Sequence, residues 1–136
     1  MLFRAVRRWA CALLLLAAGA SAHAQAPADA NVKTGVAELL NQYTAALESL
    51  DADAVKKVQP SADPETLKNA FRQMRSLEVD IDEITVLSAT DTGARVSCRV
   101  KQTLVPRAGS KQTTTVTRVL RLKRQQDVWL IDTFER

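Results

Sequence analysis

The sequence predicts an α+β domain, in which three N-terminal helices cover one face of a curved, four-stranded antiparallel sheet. Two observations predict this class. Apolar residues recur at helical spacing up to about residue 74, and from Leu77 onward they alternate with polar residues. Because the helices are consecutive and the strands are consecutive, they indicate one sheet with helices on one face, not alternating βαβ units.

The first 24 residues have the pattern of an export signal and not of a folded element. Arg4, Arg7 and Arg8 precede an apolar stretch, and Ala22-His23-Ala24 is a typical cleavage site. We therefore expect a periplasmic or secreted protein, with a disordered lead-in at residues 25–30 and one domain at residues 31–136. The apolar stretch is shorter than the roughly 20 residues that span a bilayer, so no membrane anchor is expected after processing.

Removing this signal excludes several kinds of chemistry. It takes away the only histidine, His23, and leaves a single thiol, Cys98. A mature chain without imidazole has no Ser-His-Asp triad, no Cys-His pair and no ordinary zinc site. No cofactor is expected, and a nucleic-acid partner is not expected either, because the few aromatic residues are not interspersed among the basic ones.

Three helices are predicted in the first half of the domain. Asn31 is the expected cap of the first, Asp51 caps a second that Pro60 ends, and Asp63-Pro64 begins a third. The apolar stripe of the first helix comprises Val32, Val36, Leu39, Leu40, Tyr43, Leu47 and Leu50. The third helix presents Leu67, Ala70, Phe71 and Met74 on one face.

The first strand contains a predicted bulge. Its alternation slips at Asp82-Glu83 and resumes with Ile84 and Val86, as it does when one strand has an extra residue. A hairpin turn at Asp91-Thr92-Gly93 leads to the second strand, and a loop at residues 106–110 leads to the third.

The register of the second and third strands follows from their apolar faces. Only an even sum of paired residue numbers places Val96, Cys98, Val100 and Gln102 on the same face as Val116, Arg118 and Leu120. Residues 125–127 turn the chain into a last strand, Val128 to Phe134, with Trp129 and Ile131 on one face. The other face would carry Val128, Leu130 and Phe134.

The chain resembles the nuclear transport factor 2-like superfamily, which includes SnoaL-like cyclases and ketosteroid isomerases. The resemblance lies in residues 40–55 (LNQYTAALESLDADAV), in the bent strand pair around residues 79–100, and in Asp127-Val128-Trp129-Leu130-Ile131. It implies a cone in which a strongly bent sheet wraps the helices. It also implies that the wide end of the cone binds a ligand, houses catalysis or is filled.

Tyr43 is the candidate that this resemblance singles out. It matches the position where isomerase-like members place a tyrosine that donates to a developing oxyanion. The same residue lies on the apolar stripe of the first helix, where it would fill core volume. The relatives also need a carboxylate base after the second helix, and Asp63 is the nearby candidate here, although helix capping explains that residue fully.

Arg118 and Gln102 are the candidate ligand-binding residues on the sheet. A guanidinium on the apolar face would bind a ligand carboxylate or phosphate, or pair with an acid such as Asp132. Alternatively, Arg118 lies at the rim and reaches water. Cys98, on the same face, is expected to be a buried core thiol.

The acidic row Glu78, Asp80 and Asp82 is expected to be a solvated outer face opposed by Arg99 and Lys101, and not a metal site. Val119, Leu130 and Phe134 would suit a homodimer through the sheets.

The sequence thus favours an exported domain that binds a ligand or a protein without chemistry. The alternative is an acid-base enzyme of the isomerase or cyclase type that uses Tyr43.

Overall fold

The computed structural model describes residues 26–136, and the predicted export signal lies outside them. Its elements in chain order are α1 (Ala26–Glu48), α2 (Ala52–Val58), α3 (Pro64–Arg72), β1 (Met74–Ala89), β2 (Gly93–Pro106), β3 (Gln112–Gln125) and β4 (Val128–Glu135). The strands form one antiparallel sheet in the order β1-β2-β3-β4, which confirms the predicted α+β class. Within residues 26–136, no helix combines the length and the apolar character needed to cross a membrane.

The first helix begins earlier than the sequence predicts. It starts at Ala26 and includes Asn31, so Asn31 is not its cap, and the lead-in expected at residues 25–30 is helical from Ala26 onward. Pro27 is compatible with this start, because a helix has no use for the backbone N–H of its first turn.

The caps of the two short helices are confirmed. The side chain of Asp51 accepts hydrogen bonds from the N–H groups of Asp53 (3.0 Å) and Ala54 (3.1 Å). Asp63 accepts from the N–H groups of Glu65 (3.2 Å) and Thr66 (3.3 Å) at the start of α3. Both caps therefore satisfy donors that a helix leaves unpaired at its N-terminus.

The third helix ends at Arg72, so Met74 belongs to β1 and not to the apolar face of α3. Met74 pairs with Pro106 at the start of the sheet, and Phe71 is the buried residue of α3.

The predicted common face of β2 and β3 is confirmed, because paired residue numbers have an even sum: Val96 lies opposite Leu120 and Cys98 opposite Arg118. The predicted bulge in β1 is confirmed as well. Pairing shifts between Asp82 and Thr85, and Glu83 adopts a positive φ of 50°. The bulge leaves Ile84 outside the core at 42% exposure, so the expectation that alternation resumes with Ile84 was wrong.

Register separates an inner face of the sheet, covered by the helices, from an outer face. The inner face holds Leu77, Val79, Ile81, Val86, Ala94, Val96, Cys98, Val100, Gln102, Leu104, Gln112, Thr114, Val116, Arg118, Leu120, Leu122, Arg124, Trp129, Ile131 and Phe134. Helix α1 packs on it through buried residues such as Val36, Leu39 and Leu40. A second cluster joins Leu47 of α1 and Phe71 of α3 to the start of β1.

A register shift in β4 moves Phe134 to the inner face. Ile131 pairs with Leu122, whereas Thr133 pairs with Arg121, so Asp132 is the extra residue on β4. Phe134 then shares the inner face with Ile131, and the expectation that it lies on the outer face was wrong. The physical reason is that one additional residue reverses the side-chain alternation beyond it.

The outer face is charged. Asp80 pairs with Lys101 across the strands and Asp82 with Arg99, as predicted for a solvated row. The guanidinium of Arg99 lies 2.7 Å from an Asp82 carboxylate oxygen and 2.8 Å from one of Glu83. Within the described part of the chain, no cluster of acidic or thiol groups has the arrangement of a metal site.

Glu135 ties the end of β4 to the two preceding strands. Its carboxylate accepts hydrogen bonds from Arg95 (3.0 and 2.7 Å) and from Arg121 (2.6 Å). These bonds hold the pKa of Glu135 at about 2, well below its ordinary value of 4.5. These hydrogen bonds stabilise the ionised carboxylate in the folded chain and are absent from the unfolded chain.

This depressed pKa predicts a pH-dependent effect of the substitution Glu135→Gln. A carboxylate with a lowered folded pKa contributes stability above its unfolded pKa and loses it as the pH falls toward the folded value. The difference in unfolding free energy between the wild type and Glu135→Gln should therefore be constant above about pH 5 and vanish near pH 2. Urea titrations at several pH values measure it.

Glu78→Gln is the matched control, because Glu78 is on the same face and makes no ion pair within residues 26–136. A difference for Glu135→Gln that persists unchanged at pH 2 would contradict the assignment.

Candidate functional site

The helices leave part of the inner face accessible, and we call this part the open patch. Its members are Tyr43 of α1 and the sheet residues Gln102, Thr114, Val116, Arg118 and Phe134. Strand pairing brings them together: Gln102 lies opposite Thr114, and Phe134 lies opposite Leu120, two positions along β3 from Arg118. The three residues predicted as a ligand site, Tyr43, Gln102 and Arg118, all belong to the patch.

Tyr43 sits in the middle of α1 and packs against both core clusters. Its ring centroid lies 6.2 Å from that of Phe134, with the planes tilted by 43°. Burial raises the pKa of the phenol to about 12, and the positive charge of Arg118 offsets part of that increase. The phenol is therefore a neutral hydrogen-bond donor at physiological pH.

Arg118 is the cation of the open patch. It is exposed opposite the buried Cys98, which places it at the rim, and its charge still acts on the Tyr43 hydroxyl. Asp132, once its expected partner, lies 3.9 Å from Lys123 instead. Among residues 26–136 no carboxylate pairs with Arg118, so its planar fork of donors is available to an anion.

Gln102 and Thr114 add uncharged polar groups four strand positions, or about 13 Å, from Arg118 on the same face. Both are exposed, and an amide and a hydroxyl can each donate and accept hydrogen bonds. Val116 and Phe134 supply apolar surface next to them. The patch therefore combines one cation, neutral donors and an aromatic surface.

The strands place no carboxylate on the inner face, and the carboxylate of α1 that reaches the sheet, Glu48, is engaged by the Val79 N–H over 3.0 Å. None of the inner-face positions on the four strands is Asp or Glu. Asp63, the candidate from the sequence, is engaged as the cap of α3, and hydrogen bonds from the Thr66 hydroxyl and the Glu65 N–H lower its pKa. The described part of the chain thus offers a phenol donor without a carboxylate on the sheet to act as its acid-base partner.

Cys98 is buried between Val96 and Val100, with 1% of its surface exposed. Burial raises the pKa of its thiol. Because the nucleophile is the thiolate, this residue is a core residue and not a reactive one, as predicted.

Sequence reasoning missed Thr114 and Phe134. The even sum of paired residue numbers already implied that Thr114 shares the face of Gln102, so alternation along β3 could have identified it. The sequence indicated the face of Phe134 less clearly. The one indication is Asp132, a polar residue within an apolar strand, which is the extra residue of the bulge.

No family model and no curated protein matches the chain by sequence. Solved structures do match. A protein from Novosphingobium aromaticivorans named as an aromatic ring hydroxylase shares 17% identity with a TM-score of 0.70, covering 81% of this chain and 89% of that one. A protein from Streptomyces avermitilis, named as a dehydratase of the nuclear transport factor 2-like family, shares 14% identity with a TM-score of 0.64 and covers 78% and 94%.

A third match is a nuclear transport factor 2-like superfamily protein from Salmonella enterica serovar Typhimurium. It shares 15% identity with a TM-score of 0.66 and covers 79% of this chain and 90% of that one. Identities of this size establish a common fold, and the sheet order and the three preceding helices agree with it.

Proposed function

We propose that this chain, which has the nuclear transport factor 2-like fold, is an exported domain that binds a small amphiphilic anion on its open patch and performs no chemistry. The observation that carries the proposal is Arg118. This guanidinium has no carboxylate partner within residues 26–136. It lies on the inner face of the sheet, where Arg124 is the other charged strand residue among those described.

The ligand class follows from the composition of the patch. A carboxylate or similar anion would receive two parallel hydrogen bonds from Arg118 and a further one from the Tyr43 hydroxyl, and Gln102 would bind a polar group farther along the ligand. An apolar body would lie against Val116 and Phe134. A fully polar ligand would leave that surface without a partner, and a neutral apolar ligand would leave the guanidinium unpaired.

The names of two structural neighbours refer to enzymes, a hydroxylase and a dehydratase. For this chain we propose binding instead, because the isomerase-type chemistry of the alternative needs a carboxylate base within reach of the substrate. No inner-face residue of the strands is a carboxylate, and Glu48 of α1, which reaches the sheet, is engaged by the Val79 N–H. The sole histidine, His23, lies in the predicted export signal.

Replacing Arg118 by glutamine tests the proposal. The probe is 1-anilinonaphthalene-8-sulfonate, an aromatic anion whose fluorescence reports binding, and the neutral N-phenyl-1-naphthylamine serves as its uncharged analogue. A charge-assisted pair is worth about 1.5 to 3 kcal/mol, so Arg118→Gln should weaken binding of the anion about tenfold or more. Binding of the neutral analogue should be nearly unchanged.

Lys101→Gln is the matched control. It removes one positive charge from the neighbouring strand, but Lys101 is on the outer face opposite Asp80. Equal losses in the two variants would mean that net charge and not the open patch attracts the anion, and the proposal would then fail.

Export and self-association are further parts of the proposal. Phe134 lies on the inner face, so Val119 and Leu130 are the half-buried apolar residues of the outer face that would meet in a homodimer through the sheets. Native mass spectrometry of protein purified from the periplasm or culture medium tests these points together. It reports whether the chain begins at Gln25, how many subunits associate and whether a ligand is retained.

A further inference from the structure

A second concave site lies apart from the open patch, where α3 meets the turn before α2 and the loop after β2. It is a shallow depression, widely open to solvent, with a volume of about 340 Å³. Its lining consists of Leu50, Lys68, Phe71, Arg72 and Arg107, and we call it the cationic pocket. Three of these five side chains are cations, two are apolar, and none is a carboxylate.

Local structure fixes the cations relative to one another. Lys68 and Arg72 are four residues apart on α3 and therefore project from the same face of the helix. Arg107 comes from a distant part of the sequence, but its backbone N–H donates to the carbonyl oxygen of Gln73 over 2.9 Å. That hydrogen bond ties the loop after β2 to the end of α3.

Acidic side chains lie near only one of the three cations. Lys68 has two acidic neighbours, Glu65 at 3.5 Å and Asp53 at 3.9 Å. Within residues 26–136, neither Arg72 nor Arg107 makes an ion pair or a side-chain hydrogen bond. Both guanidinium groups are exposed, and an anion bound between them would receive charge-assisted hydrogen bonds from each.

A stabilising effect on α3 explains the position of only one of the two arginines. Arg72 is in the last turn of α3, where a cation interacts favourably with the helix dipole. Arg107 lies beyond the end of β2 and has no such role. Its side chain is exposed and lines the same depression as Arg72, so both guanidinium groups could contact one anion there.

We propose that the cationic pocket binds a phosphate group. A phosphate monoester carries a charge of about −1.5 to −2 at neutral pH, which matches two unpaired arginines, and its oxygens suit the donor fork of a guanidinium. Leu50 is half-buried and, with the exposed edge of Phe71, offers a small apolar surface beside the charges, so the phosphate would be attached to a partly apolar molecule. This proposal is independent of the binding function assigned to the open patch.

The test begins with inorganic phosphate, titrated at constant ionic strength into the wild type and two single variants, Arg72→Gln and Arg107→Gln. Calorimetry or NMR chemical shifts report the binding. We expect saturable binding to the wild type and a loss of about tenfold in affinity for each variant, since each removes one charge-assisted pair.

Arg75→Gln is the control, because Arg75 is an exposed arginine nearby on β1 that does not line the pocket. Its affinity for phosphate should stay within about twofold of the wild type. Circular dichroism on every variant confirms that the fold is retained. Equal weakening in all three variants, or the absence of saturation up to about 50 mM phosphate, would overturn the proposal.

A second arm identifies the source of the phosphate. Glycerol 3-phosphate is compared with vesicles of phosphatidylcholine that contain phosphatidic acid, with pure phosphatidylcholine vesicles as the blank. Tighter binding of the soluble ester indicates a free phosphorylated ligand, and tighter binding of the acidic vesicles indicates a lipid headgroup. Either result supports the site if Arg72→Gln and Arg107→Gln weaken it and Arg75→Gln does not.

Discussion

Replacing Ile131 by alanine should lower the free energy of unfolding by about 2 to 5 kcal/mol, which is a large part of the stability of a domain of this size. Ile131 is fully buried on the inner face and pairs with Leu122 of β3. It belongs to the same cluster as Leu39 and Leu40 of α1, so its side chain helps to join β4 to the helix. The cavity left by alanine would form between two elements and close only in part.

Leu130→Ala is the matched control for this prediction. Leu130 is the preceding residue, on the opposite face of the same strand, and it is only half-buried. Its truncation should cost clearly less than that of Ile131. Urea denaturation of both variants, at a protein concentration low enough to exclude association, measures the two values, and equal losses would contradict the assigned faces of β4.

Local chemistry explains why much of the fold could be predicted from the sequence. A cap such as Asp51 or Asp63 depends on residues two and three positions away, so the sequence contains the whole interaction. The register of β2 and β3 is equally constrained, because a slip by one residue would turn Val96 and Cys98 away from the core.

The errors arise where one residue changes the alternation. The extra residue in β4 reverses the faces of the strand residues beyond it, so Phe134 lies inside. In β1, Ile84 is exposed because it lies within the bulge itself. The slip in β1 could be located in the sequence, but not the side chain that it would expose. In β4 nothing but the polar character of Asp132 indicated a bulge.

The same distinction applies to the two candidate sites. Arg118 and Gln102 could be placed on the inner face because strand alternation alone determines their side. The cationic pocket could not be predicted, because Arg72 and Arg107 are 35 positions apart in sequence and meet only through the packing of a loop against α3.

Gly35→Ala should destabilise the protein, although alanine has a higher helix propensity than glycine. Alanine in the interior of α1 would be favoured over glycine by about 1 kcal/mol if nothing else changed. The Cβ atom, however, would lie 2.5 Å from Cδ1 and 2.7 Å from Nε1 of Trp129. Displacing a packed side chain in this way costs about 1 to 3 kcal/mol, and the indole is a rigid, buried ring, so the upper part of that range applies.

The net loss should therefore be about 2 kcal/mol, and a double-mutant cycle separates its two contributions. In a Trp129→Leu background the ring is absent, so Gly35→Ala should stabilise the chain by up to about 1 kcal/mol. Ala37→Gly, at an exposed position of the same helix, calibrates the propensity contribution. Urea denaturation followed by circular dichroism suits all variants, because it does not depend on Trp129 as a probe. If Gly35→Ala stabilises the chain in the presence of Trp129 as well, the close approach of the indole to α1 is not what makes glycine necessary at this position.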